Sequence, residues 1–190
     1  MIKFFPYKFL YAKVNIMKCK SLKAIIDKNS RVLILGSMPG VKSLEMQQYY
    51  AHPQNRFWKV IGAICNNKDL HNCEYKEKIK TLLNNKIAVW DTIKYCTREG
   101  SLDSDILNIY PNDISDLLKK YPNIKTIYLN GSTAFTVFKK YFPDLFNHYS
   151  CNKMLSTSPA NAKYNTEKLI SNWKIITKDI RQQQFTCKND

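Results

Sequence analysis

Nothing in this 190-residue chain approaches the roughly 18 uninterrupted apolar residues that a membrane span needs, because Lys or another polar residue breaks every run. Its six cysteines, Cys19, Cys65, Cys73, Cys96, Cys151 and Cys187, contain no C-x-x-C pair, so their spacing indicates neither a zinc knuckle nor a common ferredoxin-type cluster. Glycine is scarce, at five residues, and histidine scarcer still, at three. Acid is short as well: 15 Asp+Glu face 30 Lys+Arg, which leaves a formal charge of +15. With 44% hydrophobic and 13% aromatic residues the chain is too rich in core-forming side chains to be disordered. A globular chain with such a cationic excess points to a polyanionic partner, most often nucleic acid.

What is present reads as one α/β domain, since a chain of this size buries about 70% of its unfolded surface without disulfides. The cysteines are therefore read as reduced thiols, most of them filling the core, of a cytoplasmic monomer. Residues 1–26 carry six Lys and no acid, with Phe4, Phe5, Tyr7, Phe9, Leu10 and Tyr11 among them. They are read as a basic extension, a frayed tail or a segment upstream of a start at Met17, ahead of a single domain over 27–185. A basic-aromatic arm lying on a phosphate backbone is the alternative.

Arg31-Val-Leu-Ile-Leu35 is a continuous branched-apolar run and predicts a buried parallel strand, ended by Gly36-Ser-Met-Pro-Gly40. Ile87-Ala-Val-Trp90, Ile124–Leu129 and Met154-Leu155 predict three more strands. Helical spacing appears over Asn55–Ile64, Asp113–Lys120, Ser132–Tyr141 and 165–183, and Asp91–Asp105 reads as a long polar loop. Strand–turn–helix repeated four times predicts a parallel sheet with helices on both faces. Loops after Gly36, Asp91, Asn130 and Ser156 then converge at the carboxyl edge, where such sheets hold ligands.

Three segments share that edge: Gly36-Ser-Met-Pro-Gly40 through His52-Pro-Gln-Asn-Arg-Phe-Trp58, Asn130-Gly131, and Ser156-Thr-Ser-Pro-Ala-Asn161. Together they resemble the uracil-DNA glycosylase superfamily. Tyr50–Trp58 is very like its mismatch-specific uracil/thymine branch. Gly36–Gly40, Tyr49-Tyr50-Ala-His-Pro53, Arg98-Glu-Gly-Ser-Leu-Asp103 and Leu129-Asn-Gly131 look closest to the deoxyinosine (hypoxanthine) branch. The resemblance runs over about residues 31–175. It implies a three-layer α/β/α sandwich around a four-stranded parallel sheet, and excision of a deaminated base from DNA without metal or cofactor. Four dispersed cysteines would also suit the iron–sulfur cluster of some DNA-repair glycosylases, an alternative to the reduced-thiol reading.

Residue roles follow from the same resemblance. Where other branches carry a water-positioning Asp or Asn, this chain has Met38, which puts strong uracil excision in doubt. Asn55 is the candidate that holds the attacking water, with helix capping as its competing role. Asp91 is a second catalytic candidate, able to hold water or accept from hypoxanthine N1–H, or to cap the following loop. Gly36, Ser37, Met38, Tyr50 and Asn130 are expected to bind the flipped base: the turn through unpaired amides, Tyr50 by stacking, and Asn130 through an amide that offers donor and acceptor. Gly40, Ser43, Arg98, Ser101, Ser158 and Asn161 are expected on the DNA backbone, with an Arg98–Asp103 pair as the alternative for Arg98. Ala160 and Asn161 would fill the vacated stack, and His52 is read as a loop brace. A uracil/thymine glycosylase, or a nucleic-acid-binding domain without catalysis, are the alternatives to hypoxanthine excision.

Overall fold

The computed structural model describes residues 17–181; the first 16 residues, Cys187 and the end of the helix expected to reach 183 lie outside that range. Strand β1 (Met17–Lys20) comes first, then β2 (Val32–Gly36), α1 (Val41–Met46), α2 (Phe57–Ile64) and α3 (Tyr75–Asn84). Next come β3 (Ile87–Asp91), β4 (Ile93–Arg98), β5 (Leu107–Pro111), α4 (Ile114–Lys120) and β6 (Thr126–Asn130). The chain finishes with α5 (Ser132–Tyr141), α6 (Pro143–His148), β7 (Ser150–Met154), α7 (Thr166–Trp173) and α8 (Ile176–Arg181).

Four strands form the expected parallel sheet, in the order β3-β2-β6-β7. β2 is buried along its whole length, and its side chains alternate between two cores. Val32 and Ile34 pack with Phe57, Val60 and Ile61 of α2 and Leu169 and Trp173 of α7. Leu33 and Leu35 pack on the other face with Ile114 and Leu118 of α4 and Ala134 and Phe138 of α5. This is why the run over 32–35 has no polar alternation: both sides are core, and helices cover both.

The strand order sets the site. The chain leaves β2 for β3 on one side, then crosses back to β6 on the other. Loops after β2 and β6 therefore diverge and open a crevice between Gly36 and Asn130.

Two expectations need correction. Asp91–Asp105 is not a loop throughout: after Thr92 the chain re-enters as β4, which pairs antiparallel with β5 and with β1 in a second sheet ordered β1-β4-β5. The domain also starts earlier than residue 27, because β1 pairs Cys19 with Cys96, Ile25 bridges Val89, and Ser21 donates to Asp91 at 2.8 Å. Basic composition masked this strand, since its lysines face outward while Cys19 packs in a small cluster with Met38, Ile93, Cys96 and Val137.

Removing residues 1–26 should therefore lower the melting temperature by several degrees relative to a chain beginning at Met17. It uncovers that cluster and strips a hydroxyl from Asp91. Equal melting curves by circular dichroism would return residues 17–26 to the status of a tail.

Candidate active site

The carboxyl ends of the parallel strands open into a cleft of about 700 Å³. Its walls include Gly36–Gly40, Ser43, Tyr50, Asn55, Asp91, Ser101–Asp103, Asn130, Ser158 and Asn161. Of the residues singled out from sequence, Arg98 is the one that does not line it.

Asn130 ends β6 and is 8% exposed. One of its amide hydrogens goes to the Tyr50 hydroxyl (3.2 Å) and the other to Thr157 Oγ1 (3.1 Å), while its Oδ1 accepts the Thr157 backbone N–H at 3.1 Å. Both donors are committed, so Asn130 does not present the donor–acceptor edge expected of a base reader; it cross-braces the loops that follow β2 and β7. Beside it, Gly131 has φ +97°, and a Cβ there would stand 3.0 Å from Ser156 Cβ. Only glycine meets both demands.

Tyr50 sits at φ +54°, a left-handed backbone conformation that is costly for an aromatic residue. It is held there by its bond from Asn130 and by a near-parallel stack on Phe57, with ring centroids 3.7 Å apart and planes 17° apart. One ring face is thus spent on Phe57, and the residue still lines the cleft. Burial pushes its phenol far above the ordinary value, and it stays neutral.

Asn55 stands at the entry to α2. Its Oδ1 accepts the Phe57 N–H at 3.0 Å, so it caps the first turn, and its backbone N–H donates to His52 O. A carbonyl oxygen has two lone pairs, and capping uses one. Capping fixes the direction of the other.

Asp91 is 3% exposed. Its carboxyl is pushed up to about 7, chiefly by burial and further by the charge of Asp103, against hydrogen bonds from Ser21 and Tyr49 and the charge of Arg98. A Cβ on Gly36 would come within 2.8 Å of Asp91 Oδ1, so glycine is what lets the carboxylate lie under the turn. The turn's carbonyls are spent on the next segment: Gly36 O accepts Thr92 N–H and Ser37 O accepts Ile93 N–H. The amides of Ser37 and Met38 find no acceptor among the described residues, which leaves them for a ligand. Met38 is buried, its side chain packed in the cluster under the small sheet.

Asp103 escaped attention as a cleft carboxylate. The tip between β4 and β5 folds over the cleft, and both Asp103 carboxylate oxygens lie 2.8 Å from Ser37 Oγ. Desolvation raises this carboxyl above its ordinary range, while bonds from Ser37 and Thr133 and the charge of Arg98 oppose the shift. Two carboxylates therefore flank the turn from opposite sides. From sequence, the signal was the position of Asp103 in Arg98–Asp103, read only as half of an ion pair.

Several backbone-contact expectations are corrected by burial. Arg98 is 1% exposed and donates to Pro39 O at 2.6 Å, while its Nε and Nη1 are unpaired among the described residues. It supports the turn and cannot reach a phosphate. Ser43 is buried and accepts the Ala51 N–H. Ser101 accepts the Val41 N–H at the start of α1, beside Gly40. Asn161 does not fill a vacated stack: its amide donates to Ser156 O and its carbonyl accepts from Arg56, leaving Ala160 exposed at the tip. Ser158 stays half-buried, its hydroxyl accepting the Ala160 N–H. Arg56 was missed altogether. Its guanidinium donates to the carbonyls of Ser158, Asn161 and Tyr164 and so clamps the whole loop after β7 onto α2. Within an Asn-Arg-Phe-Trp string it had no local sign of that role. No disulfide joins the described cysteines, and no three metal-ligating side chains gather among the described residues.

The comparisons with known proteins agree with this architecture. The family model described as the uracil DNA glycosylase superfamily matches residues 24–179. A hypoxanthine DNA glycosylase of Methanosarcina acetivorans is 37% identical over 158 residues, 83% of this chain and 96% of that protein. One of Methanosarcina barkeri is 37% identical over 148 residues, 77% of this chain and 90% of its own. The solution NMR structure of a candidate uracil DNA glycosylase from M. acetivorans superposes with a TM-score of 0.75 at 34% identity, covering 86% of this chain and 99% of that one.

Two predictions follow from the buried carboxylate and the braced turn. Because the folded pKa of Asp91 is raised above its unfolded value, its burial removes stability as pH rises from about 4 to 7, and the loss persists above 7. Asp91→Asn should therefore flatten that decline, and chemical denaturation at pH 5 and pH 8 should show the variant gaining more on the wild type at pH 8 than at pH 5. Gly131→Ala should cost about 1–3 kcal/mol by the same measurement, from its positive φ and the Ser156 contact.

Proposed function

The chain belongs to the uracil DNA glycosylase superfamily, and on that footing we propose that it excises hypoxanthine from deoxyinosine in DNA, leaving an abasic site. The observation that carries the reading is the cleft itself: an aromatic ring, a capped amide and two carboxylates around a turn with unspent amides, in a chain 37% identical to hypoxanthine DNA glycosylases.

The reaction asks little acid–base chemistry. Water adds its oxygen to C1′, the C1′–N9 electron pair departs with the base, and the proton lost by water ends on the base. Charge develops in opposite senses at the two ends of the breaking bond: positive on the sugar, negative on the purine. We assign the free lone pair of Asn55 to the water, which it orients without taking the proton. The amides of Ser37 and Met38 face the side where anionic charge collects, and Tyr50 offers its ring to the extrahelical base. Asp91 and Asp103 supply the negative field that a cationic sugar needs. Arg98, buried behind the turn, keeps part of that field ionised. None of these groups requires a metal or cofactor, and the reading is of a monomer acting in the cytoplasm.

Substrate choice is tested with duplexes carrying deoxyinosine, uracil opposite G, or no lesion, followed by alkali. Cleavage confined to deoxyinosine is the expected result, and cleavage of G·U alone would move the chain to the uracil branch, as the name of its structural neighbour suggests. Asn55→Ser separates the two roles of that residue, because the hydroxyl can still cap Phe57 but cannot hold the same water. Single-turnover excision should fall about 10²–10³-fold with little change in melting temperature. Near wild-type rates would remove Asn55 from the site.

A further inference from the structure

The small antiparallel sheet has an inner and an outer face, and the excision site uses neither. Its inner face packs Cys19 and Cys96 against Met38 and Val137. On the outer face Tyr95 is 41% exposed, Leu107 59% and Tyr110 61%, with no element of the described residues packed over them. Register makes these one surface, because Lys20 lies opposite Tyr95, Tyr95 opposite Tyr110, Lys18 opposite Thr97, and Thr97 opposite Leu107. Lys94 Nζ stands 5.5 Å from the centre of the Tyr95 ring and 6.0 Å from that of Tyr110, and Lys20 Nζ stands 6.0 Å from Tyr95.

The charge on this face is of one sign. β1, β4 and β5 contain no Asp or Glu at all, while Lys18, Lys20 and Lys94 are on or beside the two tyrosines. Glu99, Asp103 and Asp105 sit in the tip beyond β4, where the Asp103 carboxylate is already turned to Ser37; Asp91 is buried just before β4, and Asp113 follows β5 as the cap of α4. Protein-binding surfaces are depleted of lysine at their centre. Ring faces with cations beside them are instead what unpaired nucleotides recognise: bases stack, phosphates pair with the amines, and no sequence is read.

We propose that this face is a second nucleic-acid site, a platform for unpaired nucleotides of a DNA strand, distinct from the pocket that takes the excised base. Duplex DNA hides the base faces that tyrosines stack on, so the site discriminates for single strands. Its place is suited to a strand already engaged at the cleft. β4 runs from Tyr95 to Arg98, and the chain then turns at Glu99-Gly100 into Ser101–Asp103 of the cleft wall. An exposed aromatic platform also accounts for side chains that otherwise gain nothing from facing water.

The test is binding, not catalysis, so it stands or falls separately from the choice of excised base. The full chain is titrated against a fluorescent, lesion-free 12-nucleotide oligothymidylate and a lesion-free duplex of the same length, by anisotropy. Tyr95→Ala/Tyr110→Ala should weaken single-strand binding about 10–100-fold, the loss expected from one to two stacked bases. Duplex affinity should change less than about threefold, and deoxyinosine excision from a duplex should keep its rate. Tyr95→Phe/Tyr110→Phe should restore single-strand binding, which a merely structural role of the hydroxyls would not. Lys20→Gln/Lys94→Gln should reduce the slope of log affinity against log salt for the oligothymidylate by about 1.4, two contacts at about 0.7 each. Unaltered single-strand affinity in the tyrosine variant, with its melting curve intact, overturns the proposal. Equal losses for single strand and duplex overturn it too, since the face would then be a patch of charge without stacking.

Discussion

A single side-chain amide ties the cleft together. Asn130 closes β6, donates both amide hydrogens and accepts one at its oxygen, with partners from distant parts of the chain: Tyr50 from the β2 side and Thr157 from the loop after β7. In a site 8% exposed, each of those bonds is made in a medium that punishes a missing partner more than it rewards a made one. The two loops can therefore close over the crevice only in the one arrangement that satisfies this amide. Tyr50 accepts an unfavourable backbone for the same reason.

Around that pin, charge is handled in two opposite ways. The outer surface carries the cationic excess of the chain, dispersed on lysines whose ion pairs with Glu45, Glu77 and Asp116 are exposed and weak. By contrast, Asp91 is buried where desolvation makes ionisation costly, and Asp103, at an exposed tip with its carboxylate turned to Ser37, is raised as well, with hydroxyls and a buried guanidinium offsetting part of both shifts. Such an arrangement is poor for stability, because each carboxylate is held where its charged form is disfavoured.

Much of this was legible in the chain. Leu33 and Leu35 interleaved with Val32 and Ile34 announce a strand buried on both faces, and the same logic located β3 and β6. The residues later found around the cleft were identified because strand ends, glycines and prolines mark where loops begin. β4 was not legible. Ile93-Lys-Tyr-Cys-Thr-Arg98 is broken by register shifts opposite β5, and its buried side chains are an isoleucine, a cysteine and an arginine at uneven spacing. β1 was hidden for a similar reason, since the only core residue seen in it is a cysteine between lysines. Neither strand means anything until the other is beside it.

The amino-acid order by itself determined the parallel sheet, its two cores, the edge at which the crevice opens and the family, because hydrophobic periodicity and turn chemistry are local and act within a few residues. Tertiary structure alone decided what each polar side chain does there. It made Asn130 a brace, turned Arg98 inward, bent Asn161 back on its loop, set Arg56 as a clamp and brought Asp103 over the cleft. Asn161 apart, whose partner Ser156 is five positions away, these contacts join residues 27 to 108 positions apart, and no local pattern carries that information.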